Sequence, residues 1–253
     1  MRTIIVYNHK GGCSKTVTTV NFAYNLSGQG YRVLIVDMDP QGNASSFFGK
    51  YNNNKLSVRD LIAGEASPDR CCYRTKYKGI DIMPSNIRLR EIIQDSLIDG
   101  RGTLKNGLLA IKEKYDYCVI DCPPSVDFLT EVVMEAAEDV IIPLKPDRFS
   151  SDGLATVLDV IQEFGSNILT VRGLFTQYYR HKDVMVSISS MLETSGISVY
   201  DNVIRRCSAV DHSVLVRRPL AKCALKSIAA LDYQDFTLEY LKIHVEVKKD
   251  GIA

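Results

Sequence analysis

Two lysines, Lys10 and Lys15, enclose a glycine-bearing loop in the string HKGGCSKT, residues 9–16. Such a loop, set between a strand and a helix, points several backbone N–H groups at one spot, where a phosphate is favoured. Lys15 is then placed to reach the β- and γ-phosphates of a nucleotide, and the Thr16 hydroxyl to ligate Mg²⁺. The candidate nucleotide-contacting stretch is Lys10, Gly11, Gly12, Cys13, Ser14, Lys15, Thr16 and Val17. Taken alone, the string also reads as a Gly-rich turn capped by a lysine. Two further strings bear on the choice. LIVDMDPQGNAS, residues 34–45, carries an apolar run into Asp37 and Asp39, and YDYCVIDCPPS, residues 115–125, carries another into Asp121. Carboxylates at the ends of buried strands stand where ligands bind in open α/β sheets. One of them can hold Mg²⁺ opposite the Thr16 hydroxyl. A strand-terminal aspartate by itself is more often a helix cap or turn residue; three strings in this order favour a Mg²⁺-dependent nucleotide site.

The elements that must position these residues are legible from periodicity. Residues 3–7, 32–36, 79–83, 117–120, 140–144 and 169–175 are nearly continuous apolar runs, the pattern of buried parallel strands. Between them, residues 15–27, 104–114, 128–137, 152–164 and 184–194 repeat apolar residues at helical spacing. This βαβ series predicts an α/β fold: a doubly wound, mostly parallel sheet with helices on both faces. One domain over residues 1–253 is expected. Residues 49–78, polar and irregular around 51–55, read as a surface excursion.

Composition narrows the class. A net charge of +1 gives no global reason to bind an anionic polymer, so any such affinity needs a local patch. The seven cysteines form no C-x-x-C pair and follow no secretory signal, which suits reduced thiols and a cytoplasmic protein. No apolar stretch approaches the roughly 20 residues of a membrane helix. His9, His181, His212 and His244 show no metal-ligand spacing.

Residues 4–48 and 115–155 closely resemble the ParA/Soj/MinD family, the deviant Walker-type ATPases that position plasmids, chromosomes and division sites. The shared pattern is K-G-G-x-x-K-[ST], then D-x-D-P-Q-G-N, then D-x-P-P. The resemblance implies Mg²⁺-dependent hydrolysis of ATP, with Lys10, Lys15 and Asp39 catalytic and Thr16, Asp37 and Asp121 around the metal. In this family the extra lysine, here Lys10, crosses a dimer interface to the partner's ATP. A cation inserted in this way stabilises transition-state charge as an arginine finger does. Asp39 would orient the attacking water. Ser14 departs from the commoner glycine, and a negative φ is expected there because Lys15 and Thr16 keep their register. Cys13 is expected to pack. Asp147 replaces a more frequent glutamate, and no role is carried to it. The family's iron-protein relatives need cluster-ligating cysteines at a dimer interface, whereas Cys118 and Cys122 flank the strand that ends in Asp121.

Within the family the resemblance points to a small Soj-like partition ATPase. The phosphate loop begins ten residues into the sequence, so an N-terminal helix-turn-helix and operator-specific repression are not expected. The string YLKIHVEVKKDGIA lacks the basic amphipathic face of a MinD membrane helix; Ile243, Val245 and Val247 alternate as in a strand, and no membrane attachment is expected. Arg205, Arg206, Arg217, Arg218, Lys222 and Lys226 stand against only Asp211 between residues 203 and 226. That cluster is a candidate surface for non-specific DNA, or else a solvated face, and Arg180, His181 and Lys182 would extend it. The implied partners are a second copy on ATP binding, non-specific DNA and a ParB-like centromere-binding protein, with a nucleoid-associated location. The alternative is a MinD-like spatial regulator with a membrane or protein cargo.

Overall fold

The computed structural model describes residues 1–94, 102–146, 150–179 and 182–250. Its centre is an eight-stranded sheet. In chain order the strands are β1 (Arg2–Val6), β2 (Val33–Asp37), β3 (Tyr73–Arg74), β4 (Ile80–Met83), β5 (Tyr117–Asp121), β6 (Asp139–Leu144), β7 (Thr170–Phe175) and β8 (Ser198–Val199). They lie side by side as β3-β4-β2-β5-β1-β6-β7-β8, all neighbours parallel except the antiparallel edge pair β3 and β4. Each of the six expected strands is present within a residue or two.

Alternation along β1 divides the core in two. Ile4 and Val6 face one apolar cluster and Ile5 and Tyr7 the other, all fully buried. Helices α1 (Lys15–Gly28) and α2 (Asn43–Phe47) cover the first face, together with α10 (Ser208–Val216), α11 (Leu220–Cys223) and α12 (Ile228–Asp250). Helices α3 (Val58–Ile62), α4 (Pro68–Cys71), α5 (Leu89–Gln94), α6 (Thr103–Ala110), α7 (Phe128–Ala136), α8 (Ser150–Phe164) and α9 (Lys182–Thr194) cover the second. The doubly wound arrangement expected from the sequence is therefore observed.

Two local expectations need correction. Residues 49–78 are more than a surface excursion: a capping box between Ser57 and Asp60 starts α3, and Val58, Leu61, Ile62 and Cys71 join the core. The C-terminal stretch is helical through Asp250, not a strand. Ala229, Tyr233, Phe236 and Tyr240, at i, i+4, i+7 and i+11, are buried against α1, with the Phe22 ring 5.2 Å from Phe236 and 4.9 Å from Tyr240. The short alternation at Ile243 yields to this longer helical period. No helix among the described residues is long and apolar enough to cross a membrane.

Candidate nucleotide site

The phosphate loop runs from the end of β1 to the start of α1, and its own bonds hold it open. Asn8, 6% exposed, donates from its amide nitrogen to the Pro143 carbonyl and accepts from the Lys10 N–H, both at 2.9 Å. Lys15, 8% exposed, donates from Nζ to the Lys10 carbonyl at 2.9 Å, while the Cys13 thiol donates to the same oxygen at 3.1 Å. A largely buried ammonium whose hydrogen bond goes to a neutral carbonyl, with the Asp39 and Asp121 carboxylates near it, can turn to a phosphate oxygen. Cys13 packs as expected; burial pushes its thiol up, despite the nearby lysines.

Ser14 contradicts the expected negative φ. It adopts φ 71°, a left-handed conformation that carries strain for a residue with a Cβ. Gln177, itself at φ 53°, donates from Nε2 to the Ser14 hydroxyl at 2.9 Å and to the Gly12 carbonyl at 2.6 Å. The Thr176 hydroxyl donates to the Cys13 carbonyl at 3.1 Å. The end of β7 thus fastens the loop, and the serine hydroxyl supplies an anchor a glycine lacks. Sequence reading missed Thr176 and Gln177; their place just after a strand was the available signal, since ligand sites gather at strand C-termini.

The three aspartates converge on the same edge. Register places Asp37 opposite Asp121 on adjacent strands, both fully buried. The Thr16 hydroxyl donates to Asp121 Oδ2 at 2.7 Å. Asp37 Oδ2 accepts from the Ser45 amide and hydroxyl, both at 2.7 Å, and Oδ1 from the Asp39 amide at 3.1 Å. Burial pushes the carboxyl of Asp121 well above its ordinary value, reinforced by the charge of Asp37. Burial likewise raises Asp37, against the hydrogen bonds from Ser45. Two buried carboxylates beside a threonine hydroxyl are a hard oxygen set that suits Mg²⁺, which would complete its shell with waters and phosphates. No cluster of three or more His, Cys, Asp or Glu among the described residues could enclose a metal by itself, in keeping with a shared shell. Asp39 stands apart from this pair, 8% exposed, on a 320 Å³ cavity with Gln41, Arg90, Pro123, Pro124 and Asp127. Burial raises its carboxyl, opposed by the Gln41 amide and by Lys15 and Arg90.

A second cavity, 440 Å³, opens from Gly12 and Ser14 and is lined by Gln177, Cys207, Val210 and Tyr233. Arg205 and Arg206 are at this cavity, whereas Arg218 and Lys222 line a different one at the far end of α1. The structure therefore divides the basic cluster. Arg205 is also bound to Asp232, with Nη2 to Oδ1 at 2.5 Å and its backbone N–H to Oδ2 at 2.9 Å. Arg217, at φ 51°, and Lys226 are exposed. Asp147, Arg180 and His181 lie outside the described residues, as does the side chain of Lys182. Cys118 and Cys122 are buried core thiols, pushed up by burial.

Comparison with known proteins agrees with this geometry. The AAA-domain family matches residues 1–171. Chromosome partitioning protein ParA of Caulobacter vibrioides is 30% identical over 251 residues, covering 95% of this chain and 94% of that protein. Among solved structures, cobyrinic acid a,c-diamide synthase from Mycobacterium smegmatis with bound ADP and magnesium superposes with a TM-score of 0.77 at 29% identity, covering 96% of this chain and 94% of the other. The cell division ATPase MinD of Pyrococcus furiosus shares the fold, with a TM-score of 0.79 at 23% identity over 96% and 99% of the two chains. With the phosphate loop, the paired strand-end aspartates and these relatives in agreement, the chain belongs to the ParA/Soj/MinD family of deviant Walker-type ATPases.

Proposed function

We propose that the protein is an ATP-dependent DNA partition ATPase. Its ATP-bound form pairs with a second copy, binds DNA without sequence preference and hydrolyses ATP when a ParB-like partner stimulates it. The observation that carries this reading is the convergence of Lys15, the Thr16–Asp121 pair and Asp39 around one loop at the C-terminal edge of the sheet. Lys15 and the loop amides bind the β- and γ-phosphates, and the cavity beside Gly12 takes the nucleoside. Thr16 and Asp121 would hold Mg²⁺, which would supply neutralisation of phosphate charge, and Asp37 fixes the chain around them through Ser45. Asp39, outside that cluster with its carboxylate oriented by the Gln41 amide at 2.8 Å, aligns the attacking water. Phosphoryl transfer leaves the protein mainly positioning and charge stabilisation, so slow turnover awaits one further cation. Lys10 from the second copy supplies it. The chromosome-partitioning relatives support the DNA cargo, and a nucleoid-associated, cytoplasmic location is the place such a cargo requires.

Lys10→Ala tests this reading. It should retain ATP binding as a monomer and lose ATP-dependent dimerisation, measured by light scattering. Normal ATP-dependent dimers would overturn the trans role of Lys10.

A further inference from the structure

At the end of α1 remote from the phosphate loop lies a concavity of about 790 Å³ whose chemistry the nucleotide site does not use. With α1 spanning 14 residues, the two ends are about 21 Å apart at 1.5 Å per residue. Three segments distant in sequence form its walls: the end of α1 with Arg32, the turn between β3 and β4, and the segment that opens α11. They contribute Arg32, Lys76, Lys78, Arg218 and Lys222, and no carboxylate is among the lining residues. Arg32 is paired with Asp116 at 2.8 Å. The other four have no carboxylate partner among the described residues, an unusual concentration on a chain of net charge +1.

Capping of the helix does not explain them. The carbonyls of Asn25, Leu26 and Ser27 already accept from the amides of Gln29, Gly30 and Tyr31. A helix C-terminus carries only about half an elementary negative charge, which four cations exceed. The close fit of the walls argues for a built surface: the Ser27 hydroxyl donates to the Lys78 carbonyl at 2.6 Å, and a Cβ on Gly79, at φ +78°, would lie 2.9 Å from that hydroxyl.

We propose that this concavity binds the phosphodiester backbone of DNA, with Lys76, Lys78, Arg218 and Lys222 as its cations. The aromatic residues decide between backbone and base. Tyr24 and Tyr77 meet edge to face at 5.5 Å, and their rings carry lysines: Lys222 Nζ is 6.0 Å from the Tyr24 centroid and Lys76 Nζ 5.3 Å from the Tyr77 centroid. Rings engaged in this way hold ammonium groups in place and are not open platforms for stacked bases. Recognition is therefore electrostatic and indifferent to sequence. The inference rests on the DNA-binding reading and adds to it the β3–β4 turn, which lies far from residues 203–226 in sequence.

The test measures anisotropy of a labelled mixed-sequence duplex against salt, with a slowly hydrolysed ATP analogue. The proteins are the wild type, the double variant Lys76→Ala with Lys78→Ala, its Lys→Arg counterpart, and Arg206→Ala with Lys226→Ala, two exposed cations of the 203–226 cluster outside the concavity. Loss of two phosphate contacts flattens the log–log slope by about 1.8 per protomer, so the affinity change between 50 and 200 mM salt shrinks about twelvefold. The arginine variants keep the wild-type slope, which misfolding of the alanine protein would not predict. An unchanged slope in the Lys76/Lys78 alanine protein, with a flattened one in the Arg206/Lys226 protein, overturns the pocket and leaves the DNA reading standing. No DNA binding by the wild type, or binding only to phosphatidylglycerol vesicles, overturns both.

Discussion

The two ends of α1 handle charge in opposite ways. At its N-terminus, Asp37 and Asp121 are fully buried and Lys15 and Asp39 nearly so, each held by specific hydrogen bonds. At its C-terminus, exposed lysines and two arginines surround an open concavity with no carboxylate among its lining residues. Buried charge must be matched group by group, because an unmatched polar atom there costs its full desolvation. Surface cations need no such matching, and their attraction for a polyanion falls with salt. The difference suits the first end to chemistry, where positions matter to fractions of an ångström, and fits the second to the graded, non-specific association proposed for it.

The widest separation between the ends is expected from Asp39→Ala. Turnover should fall by about 10²–10⁴-fold, the range for a residue that acts on the attacking water, while ATP affinity is retained. Stopped hydrolysis with normal nucleotide binding, read by phosphate release and by titration, marks Asp39 as acting on the water alone. Next in size, Lys15→Ala should weaken ATP binding on the order of 100-fold, since one charged hydrogen-bond donor to phosphate is lost. Similar affinity losses in both variants would erase the division of roles within the N-terminal end.

Arg205→Ala sharpens the boundary of the basic surface. Because Arg205 is bound to the largely buried Asp232, its removal should cost about 1–2 kcal/mol in denaturant unfolding, with little change in the salt slope of DNA binding. A flattened slope with unchanged stability would return Arg205 to the DNA surface. The smallest effect on stability is expected from Asp121→Asn. Asp37 and Asp121 have carboxyls raised by burial, so the folded state holds protons that the unfolded chain releases above the ordinary value of 3.8. Their stability contribution is therefore present at low pH and lost as pH rises through the raised folded values. Asp121→Asn should stabilise the nucleotide-free protein by about 1 kcal/mol, more at pH 8 than at pH 5, while abolishing Mg²⁺-dependent turnover. Equal thermal shifts at both pH values would deny the repulsion between the pair.

The same contrast explains what could be read without coordinates. The phosphate loop, Asp37, Asp39 and Asp121 were legible because each follows an apolar run that fixes a strand, and a parallel sheet brings strand ends to one edge. The conformation of Ser14 was not, since its register with Lys15 survives either sign of φ, and the Gln177 side chain that holds it arrives from 163 residues away. Val58, Leu61 and Ile62 were hidden in a polar neighbourhood, and their burial needs the tertiary partner α6. For the basic surface, sequence proximity was misleading. Arg205 and Arg218 are 13 positions apart yet line different cavities, whereas Lys78 and Arg218 line the same one.

The central claim is that nucleotide at one end of the molecule governs DNA binding at another surface, through pairing of two copies. It is tested most directly by the DNA affinity of the Asp39→Ala protein with ATP, with ADP and without nucleotide, at several salt concentrations. Two weak surfaces brought together gain from multivalency. The account predicts binding that requires ATP, is equal on unrelated duplexes and has a salt slope about twice that of one protomer. Equal affinity with ATP and ADP, or no binding to DNA in any nucleotide state, would contradict it.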